Sequence, residues 1–193
     1  MPILSALLLL PNSALAGGIG LVGSAGSHVD TVYSYYEVDS SGATNQREPD
    51  NQMNSNMGGG VELILGDRDN KILGVFRGYY LRDSAQKKPD NFQEGDIYAV
   101  REVPKPRGVV DAGIQWGLIG DPGNIQFTAV STIGTAFLSD DLSEYYFIEA
   151  GLGGTWMAER HVQVAVSITG GTRYRKGFFP TANGYVGARW LFD

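Results

Sequence analysis

The chain has 193 residues, enough for one domain, with 27 Gly, 10 Tyr, 19 % charged residues, a net charge of -6 and no Cys. Without cysteine there is no disulfide framework, thiol nucleophile or lipidated cysteine in the sequence, and an acidic balance with no basic run argues against nucleic acid. No stretch reaches the ~18 apolar residues of a membrane helix; abundant Gly and Tyr with modest charge point to an all-β chain rich in turns.

Ile3 to Leu10 is an apolar run broken by Pro11-Asn12, and Ala14-Leu15-Ala16 fits a small-residue cleavage site. Residues 1–16 therefore read as an export segment, although Lys and Arg are missing ahead of the run, and 17–193 as the mature domain. From Ile19 the period is two, as for a strand with alternating faces. The first strand is expected from about Ser27 to Val38, with Gly17–Gly26 extending it or lying ahead of it. Ser40 to Asn56, polar and rich in Asn, Gln and Ser, reads as a long loop. Strand two is expected over Met57 to Gly66, with Val61, Leu63 and Leu65 opposite Glu62. The tight turn Asp67-Arg68-Asp69-Asn70 leads to strand three, Lys71 to Arg82, with Ile72, Phe76 and Tyr80 opposite Arg77. It is the least regular strand, since Leu73 and Val75 share the parity of Arg77.

A second long polar segment, Asp83 to Arg107, precedes strand four, Gly108 to Ile119, where Val110, Ala112, Ile114, Trp116 and Leu118 oppose Asp111, Gly113 and Gln115. Gly120-Asp121-Pro122-Gly123 turns into strand five, Asn124 to Leu138. Strand six, Ser143 to Met157, sets Tyr146, Ile148, Ala150, Leu152 and Trp156 against Glu149. After the short turn Ala158-Glu159, strand seven, Arg160 to Tyr174, alternates most regularly, with Val162, Val164, Val166 and Ile168 against Gln163, Thr169 and Arg173. A loop, Arg175 to Thr181, leads to the closing strand, Ala182 to Asp193. Its faces are Gly184, Val186, Ala188, Trp190 and Phe192 against Asn183, Tyr185, Gly187, Arg189 and Leu191. Eight strands result, with tight connections after strands two, four and six and long or intermediate ones after the others.

Tyr185-x-Gly187-x-x-Trp190-x-Phe192 resembles the C-terminal assembly signal of bacterial outer-membrane β-barrels, with Asp193 following the aromatic residue. Short turns at one end and long loops at the other also resemble that family. The likeness implies an all-β fold: an eight-stranded antiparallel up-and-down transmembrane β-barrel with a side-chain-filled polar lumen, similar to the OmpA membrane domain and to OmpX- and OmpW-like proteins. It further implies localisation in the outer membrane. The expected partners are membrane lipid and lipopolysaccharide, the barrel assembly machinery and, through the outer loops 40–56 and 83–107, a possible protein partner.

Alternation alone leaves open which face is the outer one, since a lipocalin-like soluble barrel puts its apolar face inside. The aromatic residues favour the outward reading. Trp116, Trp156 and Trp190 stand near one end of their strands on the apolar parity, and Tyr35, Tyr80, Phe137, Tyr146 and Tyr174 near the other. Two such belts match the two interfaces of a bilayer. Tyr146 to Trp156, at ~3.3 Å per residue and a tilt of ~40°, spans roughly 25 Å of depth. Glu62, Arg77, Asp111, Glu149, Arg173 and Arg189 lie on the polar parity and are expected to pair inside an ion-paired lumen.

No catalytic, metal or cofactor constellation emerges. His28, with Asp30 two residues on, reads as an interior hydrogen-bonding residue, and His161 as an interface residue. The Asp-rich turns lack the Gly and terminal Glu of a calcium loop, and Gly58-Gly59-Gly60 has no strand-to-helix context for a phosphate loop. The expected function is that of a non-enzymatic barrel with a structural or surface-interaction role. The alternatives are a narrow pore or lateral conduit, a lipid-modifying enzyme, and a soluble lipocalin-like binder.

Overall fold

The structure, a computed structural model, describes residues 17–31, 36–38, 41, 44–46, 51–67, 69–83, 107–138, 141–174 and 177–192. Ten strands form among these residues: β1 (Gly17–Thr31), β2 (Tyr36–Val38), β3 (Thr44–Gln46), β4 (Asn51–Leu65), β5 (Ile72–Asp83), β6 (Arg107–Gly120), β7 (Ile125–Leu138), β8 (Asp141–Glu159), β9 (Val162–Tyr174) and β10 (Phe178–Phe192). Eight of them close into an antiparallel barrel in the order β1-β10-β9-β8-β7-β6-β5-β4, and β2 and β3 pair as a separate two-stranded sheet. Each wall strand pairs with its sequence neighbours in the wall. β1 closes the circle, with Gly17 opposite both Phe192 of β10 and Leu65 of β4. A closed sheet has no unpaired edge.

Both ends of the barrel chain and the three tight turns lie at one end. Gly66 and Gly120 adopt φ of 118° and 102° there, a left-handed conformation that costs glycine nothing because it lacks Cβ. The Asp67 and Asp121 carboxylates accept hydrogen bonds from the amides of Asp69 and Gly123, two residues on, holding two of the turns locally. The wall connections from β1 to β4 and from β5 to β6 run through the opposite, loop end.

Several sequence expectations are corrected. β1 spans Gly17–Thr31, so of the two expected readings Gly17–Gly26 extends the first strand; Tyr36–Val38, expected at its far end, belongs to the separate hairpin with Thr44–Gln46. The expected loop 40–56 therefore contains strand β3 and the first six residues of β4, and the expected loop 83–107 gives Asp83 to β5 and Arg107 to β6. β10 starts at Phe178. For β4 the physical reason is its inward face. Asn54 and Asn56 are buried, so this end of a wall strand has the composition of a loop. A register irregularity between Gly117 and Ile119 leaves both Leu118 and Ile119 exposed. The expected export segment 1–16 and Tyr35 lie outside the described residues.

Candidate functional site

Two surfaces make up the candidate site: the polar interior and the apolar outer wall. Along each wall strand the inward parity carries the polar side chains. Glu62, Arg77, Asp111, Glu149, Arg173 and Arg189 are each at most 5 % exposed. Burying charges costs several kcal/mol per ion unless geometry and hydrogen bonds compensate, so the partners decide whether the interior holds together.

Near the tight-turn end Arg189 forks onto Glu62, Nε donating to Oε1 at 2.8 Å and Nη2 to Oε2 at 3.1 Å. Its Nη1 donates to Gln115 Oε1 at 3.0 Å and Gln163 Oε1 at 3.1 Å. Four strands (β4, β6, β9 and β10) thus meet at one guanidinium, whose planar fork suits such two-point recognition. Glycine makes the space: a Cβ on Gly187 would run into Glu62 Oε1. Beneath this layer Ile64, Leu73 and Val75 form an apolar cluster. Leu191, also buried, shares its register row, Gly18 pairing with both Ile64 and Leu191.

At mid-height Arg77 Nε donates to Asp111 Oδ1 at 2.9 Å, and the guanidinium lies 3.9 Å from the Tyr185 ring centre. Tyr185 OH donates to Glu149 Oε2 at 3.1 Å and stands 3.4 Å from Tyr79 OH. Glu149 also accepts from Thr169 Oγ1 at 2.7 Å, Thr181 Oγ1 at 3.1 Å and Asn183 Nδ2. Four neutral donors, rather than a cation, hold this carboxylate among the described residues. Toward the loop end Arg173 donates to the Val29 carbonyl at 3.3 Å and stands over the Tyr145 ring, which Arg107 also approaches.

Among the described residues, two ion pairs join four of these six charges. These are Arg189–Glu62 and Arg77–Asp111; Glu149 accepts from its four neutral donors, and the contacts of Arg173 include the Val29 carbonyl and the Tyr145 ring. Gln115, Gln163, Thr169, Tyr79 and Arg107, with half-buried Thr181 and Asn183, also line the interior. The signal that would have found them is parity alone: each shares the inward face of its strand with a charged residue already singled out.

The outer wall is apolar. Leu21, Phe127, Leu152 and Ile168 are 69 %, 62 %, 66 % and 75 % exposed. Toward the tight-turn end Trp156 and Trp190 are exposed and Trp116 is half-buried. Toward the loop end Tyr80 and Phe137 share a register row through Gly108, and Tyr146, Tyr174 and Phe178 share another. Of the expected assembly motif, Trp190 and Phe192 face outward, while Tyr185 and Gly187 face the interior. His28 is buried in the interior with Asn56 Nδ2 3.2 Å from its Nδ1. His161 stacks on the Trp190 ring at 5.5 Å between centres.

No family model matches the chain, and no curated protein matches it. Among solved structures, the chain is similar to Ail, the attachment invasion locus protein of Yersinia pestis, in complex with the heparin analogue sucrose octasulfate. Identity is 13 % over 92 % of this chain and 99 % of that chain, with a TM-score of 0.37. A second structure of Ail matches with the same identity and coverage at a TM-score of 0.26. The fold assignment rests on the chain's own strand pairings: an all-β, eight-stranded, closed antiparallel barrel with a polar interior filled by side chains.

Proposed function

We propose that the chain is an integral protein of the bacterial outer membrane, a small sealed barrel of the kind represented by the OmpA membrane domain and OmpX. The observation that carries this reading is the inversion of polarity: charge is buried and paired inside, while large apolar side chains cover the wall. A soluble protein rarely exposes an apolar surface of this extent. In a bilayer the same surface contacts hydrocarbon, and closure satisfies the wall's backbone groups without water. On this reading the tight turns face the periplasm and the loop end faces outward. The two aromatic belts mark the interfaces, and Tyr185, Gly187, Trp190 and Phe192 present the closing strand to the assembly machinery.

The role is structural or surface-interacting, not enzymatic. The loop-end segments 40–56 and 83–107 contact lipopolysaccharide or a protein partner. In support, the inward side chains occupy the interior at every level described above, and His28 is turned into it beside Asn56. In outer-membrane fractions the unboiled protein is expected to migrate differently from the boiled form on a gel, as an intact barrel does. Identical migration, with the protein recovered in the soluble fraction without detergent, overturns the membrane assignment. Expression is expected to leave the mass of lipid A unchanged; a mass shift lost in His28→Ala would establish an enzyme instead.

A further inference from the structure

The outer wall is not uniform around the barrel. Along the seam of β1 and β10 the outward residues at mid-height are mostly small: Gly23 and Ala25 on β1 and Gly184 on β10, with Val186 opposite Gly23. A groove of about 590 Å³ lies over them, flanked by Leu152 and Ile168. A second groove, about 370 Å³, lies over Ile19, Leu21, Ala188 and Trp190, the next outward residues toward the tight-turn end. The two follow one another along β1 and β10, with β4, β8 and β9 supplying the rest of their lining. From Trp190 to Gly184 is six residues, roughly 20 Å along the strand. With a tilt of ~40° that is about 15 Å of depth, half of the ~30 Å hydrocarbon core.

The groove ends at Trp190, where the turn after β8 supplies Arg160 and His161. Arg160 is exposed beside Glu159. His161 stacks on Trp190, and its carbonyl accepts a hydrogen bond from Leu191 N at 2.8 Å, fixing the turn against β10. The other tight turns carry Asp67, Arg68 and Asp69 ahead of Lys71, and Asp121. Resting on the membrane reading above, we propose that this seam is a docking site for one anionic phospholipid of the periplasmic leaflet. One acyl chain lies in the groove, and the headgroup phosphate sits at Arg160 and His161. An apolar groove and an exposed arginine next to the stacked histidine coincide at this seam, which matches the two halves of such a lipid.

The test is fluorescence quenching in vesicles with two single-tryptophan forms. Trp116→Phe/Trp156→Phe keeps Trp190; Trp156→Phe/Trp190→Phe keeps Trp116, which lies on β6, four strands from β10 around the barrel. The vesicles are phosphatidylcholine with a minor fraction of phosphatidylglycerol, and either lipid carries brominated chains at the same fraction. Brominated phosphatidylglycerol is expected to quench Trp190 more strongly than brominated phosphatidylcholine, corresponding to roughly five-fold local enrichment from one interfacial basic residue. Trp116 is expected to show no preference. Arg160→Gln removes the preference. Gly184→Leu, whose new Cβ would come no closer than 3.6 Å to Ala25 O, fills the groove and reduces it. If both lipids quench Trp190 equally, or Trp116 shows the same preference, the site is overturned and the membrane reading stands. If no brominated chain quenches either tryptophan, both fail.

Discussion

Arg189 shows what an interior residue of this barrel must do. Its guanidinium reaches one carboxylate and two amides from three other strands, so removing it strands Glu62 as a buried, unpaired charge. Breaking a buried pair from one side costs ~3–5 kcal/mol, whereas replacing both partners with apolar groups is often nearly neutral. Arg189→Leu is therefore expected to lower the unfolding temperature in detergent sharply, and Arg189→Met/Glu62→Leu to recover most of the loss. Equal destabilisation by the single and double variants would show that the pair is not the origin of the effect. Glycine makes the complementary point. A Cβ on Gly60 would collide with the Gly78 carbonyl and lie 2.6 Å from the Tyr79 Cβ, while one on Gly78 meets nothing within 4 Å. Gly60→Ala is expected to cost roughly 1–3 kcal/mol as overpacking, and Gly78→Ala to stay within about 0.5 kcal/mol of the parent, both measured by urea unfolding.

At the scale of the strand, period-two alternation carries the fold, and it is legible wherever both faces have side chains. β9 is the clearest case: Val166 and Ile168 point out, while Gln163 and Thr169 are buried. β5 looked irregular because Leu73, Val75, Arg77, Tyr79 and Leu81 all point inward; an interior that mixes apolar packing with ion pairs blurs the pattern without breaking it. The start of β1 was unreadable for a different reason. Glycine at 17, 18, 20, 23 and 26 offers no side chain to alternate, yet its pairing with β4 and β10 closes the wall. Asn51–Asn56 read as a loop because polar residues facing a polar interior look like polar residues facing water. The charged interior residues could be located by parity, but their partners could not, because partner choice depends on which strands face one another across the barrel. The outer face of a strand gives a direct check. Ile168→Arg places a charge on the most exposed part of β9, and at mid-depth in lipid this costs ~2–4 kcal/mol. The folded fraction in vesicles is expected to fall accordingly; a parent-like urea titration would contradict lipid contact at that position.

The whole molecule is a closed wall with its polarity reversed relative to a soluble barrel. Its layers follow one another along the axis: an apolar cluster at the tight-turn end, then the Arg189–Glu62 pair, then Arg77–Asp111 with Tyr185 and Glu149, then arginines and aromatic rings toward the loop end. Everything proposed for the chain depends on the outward side chains meeting hydrocarbon. Since the chain has no cysteine, nitroxide labels can be placed one at a time at 163 to 168 of β9 by substitutions such as Val164→Cys, and their collision rates with oxygen and with a water-soluble nickel chelate compared in vesicles. Oxygen collisions are expected to peak at 164, 166 and 168 and to fall at 163, 165 and 167, with the nickel reagent excluded from the peaks. A reversed alternation, or nickel access at 164, 166 and 168, would contradict the account.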